Sequence, residues 1–130
     1  MAVAYATTLR NTMLNAITTA AGPSATLKFY DGTRPATGGT ATNLLATLTC
    51  DATAFAAAAS NNTLTANAIT TANASATGTA TWARLASSGG TFVADMNVGT
   101  SGSDINMTSV SFVSGQPVAV SSFVITEGNG

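Results

Sequence analysis

The apolar residues of this 130-residue chain change their spacing once, at Gly22-Pro23. Before that point, from Thr8 to Ala21, the larger apolar residues are Leu9, Met13, Leu14 and Ile17. Their spacing places them on one stripe of a 3.6-residue period, which predicts a single amphipathic helix. Thr7 or Thr8 supplies an N-cap hydroxyl, with no Glu or Gln completing a capping box. Gly22 suits the left-handed conformation that closes a helix, and Pro23 cannot extend one.

After Ser24 the period falls to two. Leu27–Tyr30 leads into the turn-rich Asp31-Gly32-Thr33-Arg34-Pro35. Further short runs follow at Asn43–Cys50, Thr63–Ile69, Gly78–Leu85, Thr91–Val98, Ser103–Ser109 and Pro117–Thr126. In Thr91–Val98, Phe92, Ala94, Met96 and Val98 alternate with Thr91, Val93, Asp95 and Asn97. Alternation and β-branched enrichment predict strands. The segment Ala54–Ala59 has helix propensity and reads as a small-residue crossing or a short helical turn. The expected fold is mainly β: an antiparallel β-sandwich, Ig-like or jelly-roll-like, with one N-terminal α-helix. Residues 1–23 form the helical segment and residues 24–130 the sandwich domain.

Composition limits the chemistry. Ala, Thr, Ser and Gly make up 74 of the 130 residues, and charged residues are 7% against the usual quarter. Four cations in the whole chain cannot neutralise a run of phosphates, which argues against nucleic-acid binding. There is no His, so a His-based triad or metal site is excluded, and one Cys makes no intramolecular disulfide. With 45% hydrophobic residues and a net charge of −1, a packed fold is expected instead of disorder. The recurring hydroxyls interrupt any run of about 20 apolar residues, which argues against a membrane span. Met1–Ala6 lacks a basic n-region and Arg10 interrupts the expected h-region, which argues against a secretory signal. The solitary Cys50 fits synthesis in a reducing cytoplasm.

The remaining candidates each have a structural reading. The acids Asp31, Asp51, Asp95, Asp104 and Glu127 are scattered, and no two fall at helical i, i+4 spacing. Convergence in the fold would be needed for acid–base work; surface and turn acids are the commoner outcome. Ser101–Asp104 resembles a turn more than a calcium loop, because ligand-repeat spacing is missing. Cys50 has no His to activate it and reads as a small buried hydrophobe. Lys28 is the one basic partner a Ser or Thr nucleophile would have, and its place in a strand points to solvent. Trp82 with Arg84 would make a carbohydrate platform if exposed, but a lone strand Trp is more often core. Three glycosylation-type triplets, at Asn61, Asn73 and Asn106, are what a Thr-rich chain yields by chance. Neither catalytic residues, nor a metal, nor a cofactor is expected.

The same composition suits permanent contact. Ala, Thr, Ser and Gly lose little side-chain entropy on ordering, whereas each Lys or Glu loses up to about 2 kcal/mol. A surface poor in long charged side chains therefore docks with a small ordering penalty. It also lacks the charged gatekeepers that hold strand edges apart, a hazard that a closed homo-oligomer removes. The residues expected at such an interface are Tyr5, Leu9, Met13, Leu14 and Ile17.

Four segments carry a resemblance: Leu27–Pro35, Leu44–Leu48, Leu64–Ile69 and Ala76–Arg84. Together with Asp95–Ile105 they resemble small Ala/Thr/Gly-rich virion proteins of tailed bacteriophages. The resemblance covers most of the chain and is compositional. It implies a non-enzymatic β-sandwich that decorates or cements a capsid, binds the major capsid protein, and forms a homotrimer or other homo-oligomer on the capsid surface. A tail or fibre component of the virion and a carbohydrate-binding β-sandwich are the alternatives. The resemblance defines no functional residue.

Overall fold

The structure, a computed structural model, describes residues 5–55 and 63–126. It is a mainly β fold with one N-terminal helix, α1 (Thr7–Ala21). The strands are β1 (Thr26–Tyr30), β2 (Leu44–Cys50), β3 (Thr63–Thr65), β4 (Ile69–Thr70), β5 (Ala72–Asn73) and β6 (Gly78–Thr79). They continue with β7 (Trp82–Ala86), β8 (Phe92–Gly99), β9 (Ile105–Asn106), β10 (Ser111–Phe112), β11 (Pro117–Val118) and β12 (Ser122–Thr126).

The helix starts one residue earlier than the sequence predicts. Its N-cap is Ala6, with no side-chain cap, so neither Thr7 nor Thr8 serves as the cap; both lie inside the first turn. The stop falls where expected, but in another conformation: Gly22 has φ +68° and ψ −170°, a glycine-favouring region outside the left-handed helical one, and its N–H donates to the Thr18 carbonyl at 3.1 Å. Leu14 and Ala21 are buried and Ile17 packs against them, so the helix lays part of its stripe on the sheet.

Eight strands form one sheet in the order β3-β12-β9-β8-β7-β1-β2-β4. Its two edges, β3 and β4, are separated in sequence only by residues 66–68. That short link spans no more than about 14 Å of extended chain, so the sheet must curl until its edges approach. Ala66 also bridges Phe55, and the Ala66 N–H donates to the Phe123 carbonyl at 2.9 Å. The curled walls face each other in sandwich-like fashion across one apolar interior. Leu27, Phe29, Leu48 and Leu85 come from one wall, Leu64, Ile105 and Phe123 from the other. Edge-to-face pairs, Phe29 with Phe112 at 5.7 Å and Phe55 with Phe123 at 5.2 Å, fill the interior. Two short ribbons, β10-β6 and β11-β5, complete the fold.

Three local features depart from the expected antiparallel alternation. First, β8 and β9 pair in parallel, Val98 with Ile105. A parallel pair normally needs a long crossover. Here a five-residue loop suffices, because β9 has two residues and pairs only with the end of β8. The loop is held from within. The Asn97 N–H donates to Asp104 Oδ2 at 3.2 Å, the Ser103 N–H to Asn106 Oδ1 at 3.1 Å, and Asn106 Nδ2 to the Ser103 carbonyl at 3.1 Å. Gly99 permits this closure, since a Cβ there would lie 2.5 Å from Ser103 Oγ. Second, the run Thr63–Ile69 is not one strand. Asn67 anchors a crossing between the two sheet edges: its N–H reaches the Ala54 carbonyl and its Nδ2 the Thr53 carbonyl, both at 2.9 Å. Third, the pairing slips one residue at Leu45 in β2 and at Val93 in β8. Each slip is a β-bulge, which turns the residues beyond it to the opposite face. Of the segment Ala54–Ala59, Ala54 and Phe55 are buried; the rest lies outside the described residues.

Candidate functional site

The bulge at Val93 builds the most distinctive side-chain cluster. With strict alternation Phe92 would share the inner face with Ala94 and Met96. In the structure Leu85 pairs with Ala94 and Ala86 with Phe92, so Phe92 points to the outer face beside Asp95. There it meets the outward row of β1 and β7: Lys28 is opposite Arg84, and Tyr30 is opposite Trp82. Tyr30 stacks on Trp82 with centroids 4.5 Å apart. The Arg84 guanidinium lies 5.3 Å from the Trp82 ring and 5.2 Å from the Phe92 ring, a cation held between two aromatic faces.

Arg84 forms a two-pronged ion pair with Asp95, its cross-strand partner. Nε donates to Oδ1 at 2.7 Å and Nη2 to Oδ2 at 3.1 Å. The Asp95 side chain is 5% exposed and that of Arg84 17%. The Asp95 hydrogen bond is the largest cause of the upward shift in the Arg84 pKa, with burial working against it. Burial also raises the Tyr30 phenol, partly countered by Arg84.

The loop between β1 and β2, residues 31–43, straps this cluster to the sheet. Trp82 Nε1 donates to the Asp31 carbonyl at 3.1 Å and to Thr42 Oγ1 at 3.0 Å. The Thr42 hydroxyl in turn donates to the Asp31 carbonyl. Arg84 Nη2 donates to the Gly39 carbonyl at 2.8 Å, and the Gly38 N–H donates to Asp95 Oδ2 at 3.3 Å. Gly38 has φ +70°, a region that favours glycine, and a Cβ there would lie 3.5 Å from the Phe92 ring. The Asp31 carboxylate accepts from the Asn43 backbone N–H at 3.1 Å and from Asn43 Nδ2 at 3.2 Å, which ties the two ends of the strap together. Thus residues far apart in the resembling segments, from Tyr30 to Asp95, converge on one polar-aromatic cluster with structural bonds.

This arrangement corrects the carbohydrate-platform alternative. Trp82 is 0% exposed; its faces are covered by Tyr30 and Arg84 and its N–H is used within the chain. No ring face remains for a sugar. The other candidates also have structural partners. Asp51 Oδ1 accepts the Ala52 N–H at 2.8 Å, and Asp104 fastens the β8–β9 loop. Cys50 is buried, and burial pushes its thiol pKa up to about 11. Lys28 is half-buried on the outer face of β1. Among the described residues no three His, Cys, Asp or Glu side chains group to hold a metal, and no helix is long and apolar enough to cross a membrane. Glu127 and the Asn61 triplet's first two residues lie outside the described residues.

The five expected interface residues divide. Tyr5 and Leu9 are exposed, at 42% and 46%. Met13 and Ile17 are half-buried. Leu14 is a correction: it is 1% exposed and belongs to the chain's own interior, so it presents nothing to a partner in this fold. The reason is the position of the helix, whose stripe is wide enough to serve the sheet with one edge and solvent with the other. Other large apolar side chains at the surface are Leu44, Phe92 and Val113. Leu44 reaches the surface through the β2 bulge and Phe92 through the β8 bulge, a signal that alternation conceals.

Comparison with family models, with curated proteins and with solved structures finds no match.

Proposed function

We propose that this protein is a non-enzymatic virion structural protein of the capsid decoration or cement type, which binds major capsid subunits as a homo-oligomer and stabilises the head. The observation that carries the reading is the outward edge of α1. Leu9 stands exposed on the helix, and Tyr5 stands exposed just ahead of its first turn, while the helix's other edge is anchored by Leu14, Ile17 and Ala21. A rigidly mounted apolar edge on a surface of small, mostly neutral side chains orders cheaply against another protein. The polar-aromatic cluster supports the same reading, because its ion pair and cation–aromatic contacts brace the sheet internally. The resemblance to small Ala/Thr/Gly-rich virion proteins of tailed phages supplies the choice of partner.

A protein of this kind works by mass action. Binding the assembled lattice and not its separated subunits shifts the equilibrium toward the shell. Repetition over a symmetric lattice adds avidity. The test adds purified protein to undecorated heads and follows thermal rupture. Saturable binding with a higher rupture temperature is the expected result, weakened by Leu9→Ser; rupture unchanged and no binding would overturn the reading.

A further inference from the structure

The strap leaves a cleft between its residues 34–37 and β8, with a volume of about 360 Å³ and lined by Arg34, Pro35, Thr37, Phe92, Val93 and Asp95. We infer that this cleft is a docking site for an acidic side chain on a partner protein, gripped by the Arg34 guanidinium on the cleft wall that it shares with Phe92. The inference deepens the proposed function, since it names a chemistry of contact with the partner assumed there.

Charge is the argument. Arg34 is exposed, and among the described residues its guanidinium meets one backbone oxygen, that of Asp95, at 3.4 Å, and no carboxylate. The carboxylate that lines the cleft is already committed. Asp95 Oδ1 accepts from Arg84 Nε, and Oδ2 accepts from Arg84 Nη2 and the Gly38 N–H. The charge of Asp95 is therefore compensated by Arg84, which leaves Arg34 without a carboxylate partner. Lys28, Arg34 and Arg84, three of the four cations of the chain, gather on this face. The acids facing them are Asp95 and, at the far end of the strap, Asp31, so one positive charge is left over. An arginine fork with unused donors beside a half-exposed ring matches a carboxylate carried on an apolar neighbour. A single free fork recognises such a group and is far too little charge for a polyphosphate chain. The Val93 bulge makes the site, because without it Phe92 would face the interior.

The test is amide and arginine side-chain NMR on the full chain, titrated with a short capped peptide of alternating leucine and glutamate. A glutamine version of the peptide is the control. Saturable shifts confined to residues 34–37 and 92–95, absent with the glutamine peptide and weakened on the order of tenfold in Arg34→Gln, are the expected result. Arg34→Lys should retain part of the binding, because it keeps the charge and loses the fork. No shifts, shifts elsewhere, or equal binding of the two peptides would overturn the inference, and the peptide comparison on the unaltered chain holds even if Arg34→Gln misfolds. Peptide binding by a protein that ignores undecorated heads would leave this site standing and remove the capsid reading; head binding unaffected by the glutamate peptide would do the reverse.

Discussion

Removing the Asp95 carboxylate should destabilise the protein through Arg84. In Asp95→Ala, Arg84 Nε and Nη2 lose their carboxylate acceptors and the Gly38 N–H loses its partner. Hydrogen bonds to charged groups contribute about 1.5–3 kcal/mol each. Breaking a buried ion pair from one side costs about 3–5 kcal/mol. Arg84 is 17% exposed and keeps the Gly39 carbonyl, so water and backbone recover part of the loss. The lower end, about 3 kcal/mol, is the expected cost. An unfolding entropy of about 2.1 cal/mol/K per residue makes 1 kcal/mol equivalent to about 4 °C for a chain of this length, so Tm should fall by about 11 °C. The assay is urea unfolding followed by the fluorescence of Trp82, the one tryptophan of the chain, at fixed protein concentration because self-association shifts apparent stability. Arg84→Met should cost at least as much, because it strands a carboxylate that is 5% exposed. The double variant should cost about 2 kcal/mol less than the two singles together. A loss under about 1 kcal/mol for Asp95→Ala, or singles that add within about 0.5 kcal/mol, would refute the claim that this pair braces the outer face.

Three further outcomes follow from the same geometry. Gly39→Ala would place a Cβ 2.9 Å from the Ala36 carbonyl oxygen and 3.0 Å from Pro35 Cβ, so backbone must move; a loss of about 1–3 kcal/mol in urea is expected. Burial raises the Cys50 pKa from 9.0 to about 11, so the unfolded chain ionises first as pH rises. The thiol's contribution is whole below pH 9.0 and is lost progressively toward about pH 11, at about 1.4 kcal/mol per pH unit; Cys50→Ala should show a flatter decline in alkaline unfolding curves. Leu9→Ser should leave urea stability within about 0.5 kcal/mol of the parent, because Leu9 is exposed, while sedimentation shows whether it weakens self-association.

The legible parts of the fold were those set by local chemistry. Gly22-Pro23 ends α1 where expected, and Thr26–Tyr30, Leu44–Cys50 and Trp82–Ala86 lie within or beside their anticipated runs. What escaped was set by long-range pairing. A bulge leaves no mark in an alternating run, so Thr91–Val98 placed Phe92 on the wrong face. Two-residue strands such as β5 and β10 are shorter than any period, and Thr63–Ile69 alternates well yet is cut by the hydrogen bonds of Asn67. Trp82 and Arg84 were noticed as a pair, but their partners are distant in the chain: Tyr30 lies 52 residues before Trp82, and the 31–43 strap lies between them. On the helix, the stripe was visible and its division was not: Leu14 faces inward and Leu9 outward because the sheet covers only one edge.

The most direct measurement of the central claim is an electron-microscopy map of the intact virion with this chain labelled. Label is expected on the head, at sites repeated with the symmetry of the capsid lattice, with Leu9 of α1 and the preceding Tyr5 against a neighbouring subunit. Label confined to the tail would assign the protein to a tail or fibre, and a particle without label would contradict the account altogether.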